Sequence, residues 1–236
     1  MKTLLSLLQF TTILPLGKAQ DLEHFARHSY LYPVAGYVIG ALVALPVFFI
    51  TNATIAAAVA IALLILITGA HHFDGLMDFG DGLMAHGDRE KRVRALTDRN
   101  VGAGAVALAI ITTLLLFAGL QESTSIISAL IIGEVCGKFS MAFLTAYGTP
   151  FHEGMQSYLH GFSRSYFPAI SFLLCLPLIF LPIAPVKIFG AFLLMILCPV
   201  LLLAVSQRLF GGVNGDVVGA SNEITRALVI VGIVLL

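Results

Sequence analysis

The chain has 236 residues, 58% of them hydrophobic and only 11% charged, with a formal net charge of zero and a mean hydropathy of +0.98. Soluble domains carry about 25% charged residues, so this composition excludes an ordinary soluble domain, and the neutral balance offers nothing to the phosphates of a nucleic acid. We expect an all-α, polytopic integral membrane helical bundle forming one domain over residues 1–236.

The first apolar stretch, Met1–Leu16, falls short of the roughly 20 residues a spanning helix needs and reads as an interfacial or re-entrant segment. No cleavage site of a signal peptide stands out before Lys18. Predicted spans follow at Leu31–Ile50, Ala53–Gly69, Val101–Leu120, Ser125–Tyr147, Phe167–Pro182, Val186–Val205 and Ile224–Leu236, about six or seven in all. The last is short unless it begins near Ser221. Short connectors alternate with longer polar loops at 70–100, 148–166 and 206–223. The three cysteines, Cys136, Cys175 and Cys198, sit in apolar runs and read as small core residues. Eleven of the 13 Lys and Arg residues fall on the side that holds the amino terminus and the long loops, Arg226 among them. The positive-inside rule then places that side in the cytoplasm of a cell (inner) membrane. All 7 histidines share it. Polar chemistry confined to one face suits an enzyme with cytoplasmic substrates better than a cation-coupled transporter, which would use both faces.

Carboxylates at a membrane edge are costly unless they have work to do. The segment His71-His72-Phe73-Asp74-Gly75-Leu76-Met77-Asp78-Phe79-Gly80-Asp81-Gly82 puts Asp74, Asp78 and Asp81 within roughly 60° of arc on one helical face. Like charges so placed call for a cation, and hard oxygen ligands favour a divalent ion such as magnesium. We therefore expect Asp74, Asp78 and Asp81 to hold Mg2+ against phosphate oxygens; the alternative is a solvated helix end. His71 shares the face and is expected to contact substrate, or to be an interfacial histidine. Asp98-Arg99-Asn100, leading into Gly102 and Gly104, resembles an anion-binding turn at a helix start, whereas the alternating charges of Asp88–Arg94 read as a solvated helix. Glu134 and Lys138, four apart in an apolar helix, can pair on one face. Either the pair only positions helices, or Lys138 faces a phosphate with Glu134 orienting it. Gly211–Glu223, holding Asn214, Asp216, Asn222 and Glu223, reads as a glycine-rich binding loop rather than a linker.

In combination these motifs resemble the cobalamin synthase family, also called adenosylcobinamide-GDP ribazoletransferase or cobalamin-5′-phosphate synthase. Asp74-Gly75-Leu76-Met77-Asp78-Phe79-Gly80-Asp81-Gly82 is similar to its Asp-Gly-Leu-x-Asp-x-x-Asp-Gly signature. Asp98–Gly102 stands at its Asp-Ser-Arg-Ile-Gly-type segment, and Gly212–Glu223 at its Gly-x-Thr-Gly-Asp-x-x-Gly-Ala-x-x-Glu element, with Asn214 in place of threonine. Gly137-Lys138 stands where the family often has Gly-Arg. The resemblance implies that adenosylcobinamide-GDP and α-ribazole, or its 5′-phosphate, are joined with release of GMP. It also implies magnesium, with Asp74, Asp78, Asp81 and Lys138 catalytic and His71, Asp98, Arg99, Asn100, Asn214, Asp216, Asn222 and Glu223 binding substrate. Asp81 is implied as ligand or as base, and Asp216 as a support for the metal or the acceptor. A CDP-alcohol phosphotransferase is the runner-up, but its Asp-Gly-x-x-Ala-Arg pattern meets Met77 and Asp78 here. The lipid bilayer is the expected surrounding, no nucleic acid is expected, and a homo-oligomer stays open.

Overall fold

The computed structural model describes residues 1–236 as helices and connectors, without strands. Helix α1 (Lys2–Thr11) has 10 residues, a rise of about 15 Å, too short to span. It is followed by α2 (Glu23–Ala26), α3 (Tyr32–Val47), α4 (Ala53–Thr68), α5 (His71–Met84), α6 (Arg89–Leu96), α7 (Ala103–Gln121), α8 (Ile126–Tyr147), α9 (Met155–Phe162), α10 (Phe167–Cys175), which runs on as a 3-10 turn through Phe180, α11 (Pro185–Leu209) and α12 (Gly215–Leu235). Each predicted span therefore contains a helix. Five are long and apolar enough to cross a membrane alone, and the bent pairs α4–α5 and α9–α10 raise the number to seven if each pair is one span. The chain is a multi-pass membrane protein.

Local chemistry sets most ends. Asn52, Asp88, Ser125 and Asn214 cap α4, α6, α8 and α12 by accepting a backbone N–H, the usual use of short polar side chains there. Pro33 and Pro185 open α3 and α11, where a missing N–H costs nothing. Helix α8 lies at the centre, buried against α3, α11 and α12. A Cβ on Gly36 of α3 would stand 2.7 Å from the Val135 Cα, so those two backbones meet with nothing between them. At the periphery, Val106, Ile110 and Leu114 of α7 and Phe189, Leu193, Ile196 and Val200 of α11 are exposed at helical spacing, a surface made for lipid.

Two expectations need correction. The last span begins at Gly215 rather than Ile224. Gly211–Glu223 is thus only briefly a loop, and its second half is helix. Asn214 caps α12 through Val217 N at 3.1 Å, and a Cβ on Gly219 would stand 3.2 Å from His72 Cα, so the polar sequence is helix packed on protein, not loop in water. Arg226, counted above as a charge on the loop side, is 2% exposed inside α12 and cannot act as a topogenic surface charge.

Candidate active site

Helix α5 departs from α4 at 96°. The turn is made by successive left-handed residues, Gly69 (φ 65°) and Ala70 (φ 60°). Alanine there costs roughly 1–2 kcal/mol, a strain found where surrounding structure dictates the path. The turn sends α5 across the amino-terminal ends of α12 and α7. A Cβ on Gly75 would lie 2.8 Å from the Asp216 carbonyl oxygen, and one on Gly80 2.6 Å from that of Gly104. Only glycine permits such backbone contact. Two helix amino termini, each carrying partial positive charge, therefore flank the acidic face of α5.

That face bears the three predicted aspartates, Asp74 exposed and Asp78 and Asp81 half-buried. Burial, then the neighbouring carboxylates of Asp216, Asp74 and Asp81, push the Asp78 carboxyl up to about 7. Asp216 of α12, implied above to support the metal or the acceptor, lies with its backbone against Gly75 and so joins the α5 carboxylates. Its carboxylate accepts a 2.6 Å hydrogen bond from Asn214 Nδ2, so the residue that caps α12 also orients Asp216. No three carboxylate, imidazole or thiol groups converge into a closed metal cage. The donor set nevertheless suits Mg2+, which keeps several waters and binds through one or two carboxylates plus substrate phosphates.

Asp81 has a different setting. Its Oδ2 accepts from Gly102 N at 2.7 Å and its Oδ1 from Ala105 N at 2.8 Å, so it caps α7 from α5. Asp98 accepts from Asn100 N at 3.0 Å and Asn100 Nδ2 at 2.8 Å, bonds that hold its carboxyl below the usual range. With Asp81, Gly102 and Gly104 they line a cavity of about 590 Å³. Arg99 is exposed beside it. At the amino-terminal end of α5, His71 and Asp216 line a second cavity of about 370 Å³.

Lys138, Asn222 and Glu223 lie beneath this floor, away from water. Lys138 Nζ donates to Asn222 Oδ1 at 2.8 Å and stands 3.6 Å from Glu134. Asn222 Nδ2 donates to Glu223 Oε1 at 2.9 Å. Arg226 closes the network, bound to Glu223 and, at 2.7 Å, to Glu134. Two acids and two bases balance, all buried. The expected proximity of Glu134 and Lys138 is present, within a four-residue charge network that joins α8 to α12. Arg226 was missed as a partner. Its spacing of three from Glu223 would have revealed it had this stretch been read as helix. His72, beside the exposed His71 that the sequence singles out, is buried with Nδ1 unpartnered.

The cobalamin-5-phosphate synthase family matches residues 3–234. This chain belongs to that family. Among its relatives, the adenosylcobinamide-GDP ribazoletransferase of Methanococcoides burtonii is 33% identical, with 94% of this chain and 87% of the relative covered. The protein of the same name from Methanocella arvoryzae is 37% identical, with 96% and 93% covered, and that of Halorubrum lacusprofundi 36% identical, with 93% and 91% covered. No solved structure matches. The match takes in every helix from α1 to α12, so membership of the cobalamin-5-phosphate synthase family applies to the whole bundle, including the terminal helix that carries Asp216.

Proposed function

We propose that the protein is an adenosylcobinamide-GDP ribazoletransferase acting at the cytoplasmic face of the cell membrane. A ribose hydroxyl of α-ribazole, or of its 5′-phosphate, attacks the cobinamide-bound phosphorus of adenosylcobinamide-GDP. A new P–O bond forms, the bond to the bridging oxygen breaks, and GMP leaves with that oxygen. The observation that carries this reading is the meeting of Asp74 and Asp78 of α5 with Asp216 at the amino terminus of α12, in a chain whose relatives over nearly their whole length bear this name. Family membership favours it over the CDP-alcohol phosphotransferase and transporter alternatives.

Asp74 and Asp78 would hold Mg2+, which supplies positive charge against the diphosphate. The chain's own groups do the rest. The amino termini of α7 and α12 favour anionic oxygens, and exposed Arg99 offers a guanidinium fork to the departing phosphate. Asp216, the carboxylate that lines the 370 Å³ cavity, receives the acceptor's proton at a carboxylate oxygen, with Asn214 fixing its orientation. Lys138 acts at a distance, by holding α8 against α12. Asp81 serves by setting the start of α7, where Asp98 and Asn100 border the donor's path.

The purified chain, given both substrates and Mg2+, should release GMP and the joined corrinoid in equal amounts, and chelation should stop both. Folded protein that makes neither product refutes the reading.

A further inference from the structure

The 370 Å³ cavity has a built wall. Phe10, Tyr32, Met141 and Leu159 line it, and Tyr32, Met141 and Leu159 are no more than 3% exposed. The recess therefore opens at an exposed rim and reaches into the folded core. His72 lines it too, 6% exposed, and its Nδ1 has no hydrogen-bond partner. An unsatisfied buried polar atom costs about 1–3 kcal/mol and calls for an explanation. The backbone of His72 lies against Gly219, where a Cβ would come within 3.2 Å of the His72 Cα. That close approach holds the His72 backbone against α12, the helix that brings Asp216 to the same recess.

We propose, resting on the transferase reading above, that this recess is the acceptor subsite, that it takes the planar aromatic base of the incoming nucleoside, and that the His72 imidazole, which lines it, is a specificity-determining contact. Size supports the assignment. The volume lies at the lower end of small-molecule sites, roughly 300–1,000 Å³, enough for a nucleoside and far too little for a corrin ring. Chemistry supports it as well. Two aromatic rings and two thioethers, of Phe10, Tyr32, Met141 and Met155, offer flat and polarizable contact to a planar base. The buried imidazole of His72 gives orientation, and Asp216 at the same wall meets the ribose. The corrinoid-bound diphosphate then approaches from the open side of α5.

Two measurements on the full-length protein test this. In His72→Phe, which keeps a flat ring and removes both nitrogens, the KM for α-ribazole should rise about tenfold, the worth of one buried hydrogen bond, and the KM for adenosylcobinamide-GDP should stay within twofold. An unchanged KM for α-ribazole, or a rise confined to adenosylcobinamide-GDP, overturns the proposal; it would mean that a buried water satisfies His72. The second measurement needs no turnover. The chain has 0 Trp, so Met155→Trp, at a rim position 49% exposed, places one fluorophore at the mouth of the recess. Its emission should change saturably with α-ribazole alone and not with GDP alone. No response to α-ribazole, or an equal response to GDP, overturns the proposal even if His72→Phe does not fold. A saturable response in protein that makes no product would sink the transferase reading while leaving the recess as a nucleoside site.

Discussion

The role of Asp81 can be separated from that of its neighbours by removing it. Both carboxylate oxygens accept backbone N–H groups of the α7 start, at 2.7 and 2.8 Å. Asp81→Ala strips both. A hydrogen bond to a charged group contributes about 1.5–3 kcal/mol and loss of a helix cap costs about 0.5–2 kcal/mol. Water reaching the freed amides offsets part of this, which leaves about 2–4 kcal/mol. Asp81→Asn keeps one acceptor and turns an NH2 toward the other amide, for about half that cost. A domain of this size loses about 2–4 °C of Tm per kcal/mol, so Asp81→Ala should melt roughly 5–15 °C lower, with Asp81→Asn between it and the parent. Cys136, Cys175 and Cys198 are free and buried, so a thiol-reactive dye in detergent reports unfolding directly. Turnover should fall in proportion to the distortion of α7 and return in part at lower temperature. A Tm within 1 °C of the parent together with abolished turnover would refute the capping role and return Asp81 to the chemistry.

Asp74→Asn and Asp78→Asn should each lower turnover at least about a hundredfold while Tm holds or rises, because either change relieves like-charge crowding; near-parental activity in either variant contradicts the metal assignment. The Asp78 carboxyl, raised to about 7 in the folded protein, makes the folded state hold a proton that the unfolded chain releases at lower pH. The metal-free Tm should therefore fall as pH rises from 5 to 8, and Mg2+ should raise Tm more at pH 8 than at pH 5, since cation and proton compete for one carboxylate. A flat metal-free profile, or equal Mg2+ shifts at both pH values, argues against the crowding.

Much of this was legible because periodicity carries it. Apolar runs bounded by short polar connectors located the helices, and a 3.6-residue repeat put Asp74, Asp78 and Asp81 on one face. What failed was the inference that polar means loop. Asn214, Asp216, Asn222 and Glu223 look like a binding loop because their side chains are hydrophilic, yet in a membrane bundle polar groups are spent on one another, and Lys138, Glu134 and Arg226 consume two of them. Asp216 alone of the four meets the α5 carboxylates. Both His71 and His72 line the recess, but which of the two is buried depends on the 96° turn at Gly69-Ala70, a tertiary feature with no local signature.

The buried network explains why Asp216 can be placed at all. Removing two acids and two bases from water is costly, and the attraction between them offsets that cost only with good geometry and saturated hydrogen bonds. Such a cluster fixes register, because sliding α12 by one turn would carry Glu223 and Arg226 away from Lys138 and Glu134 and strand all four in the apolar interior. Lipid offers no hydrophobic drive to hold two helices in register, so a directional network does what an apolar interface cannot. The cluster begins six residues beyond Asp216, less than two turns along the same helix. The register it imposes therefore delivers the amino terminus of α12 to Gly75, where the missing side chain lets Asp216 settle beside Asp78. Lys138 is thus decisive for the site without reaching it.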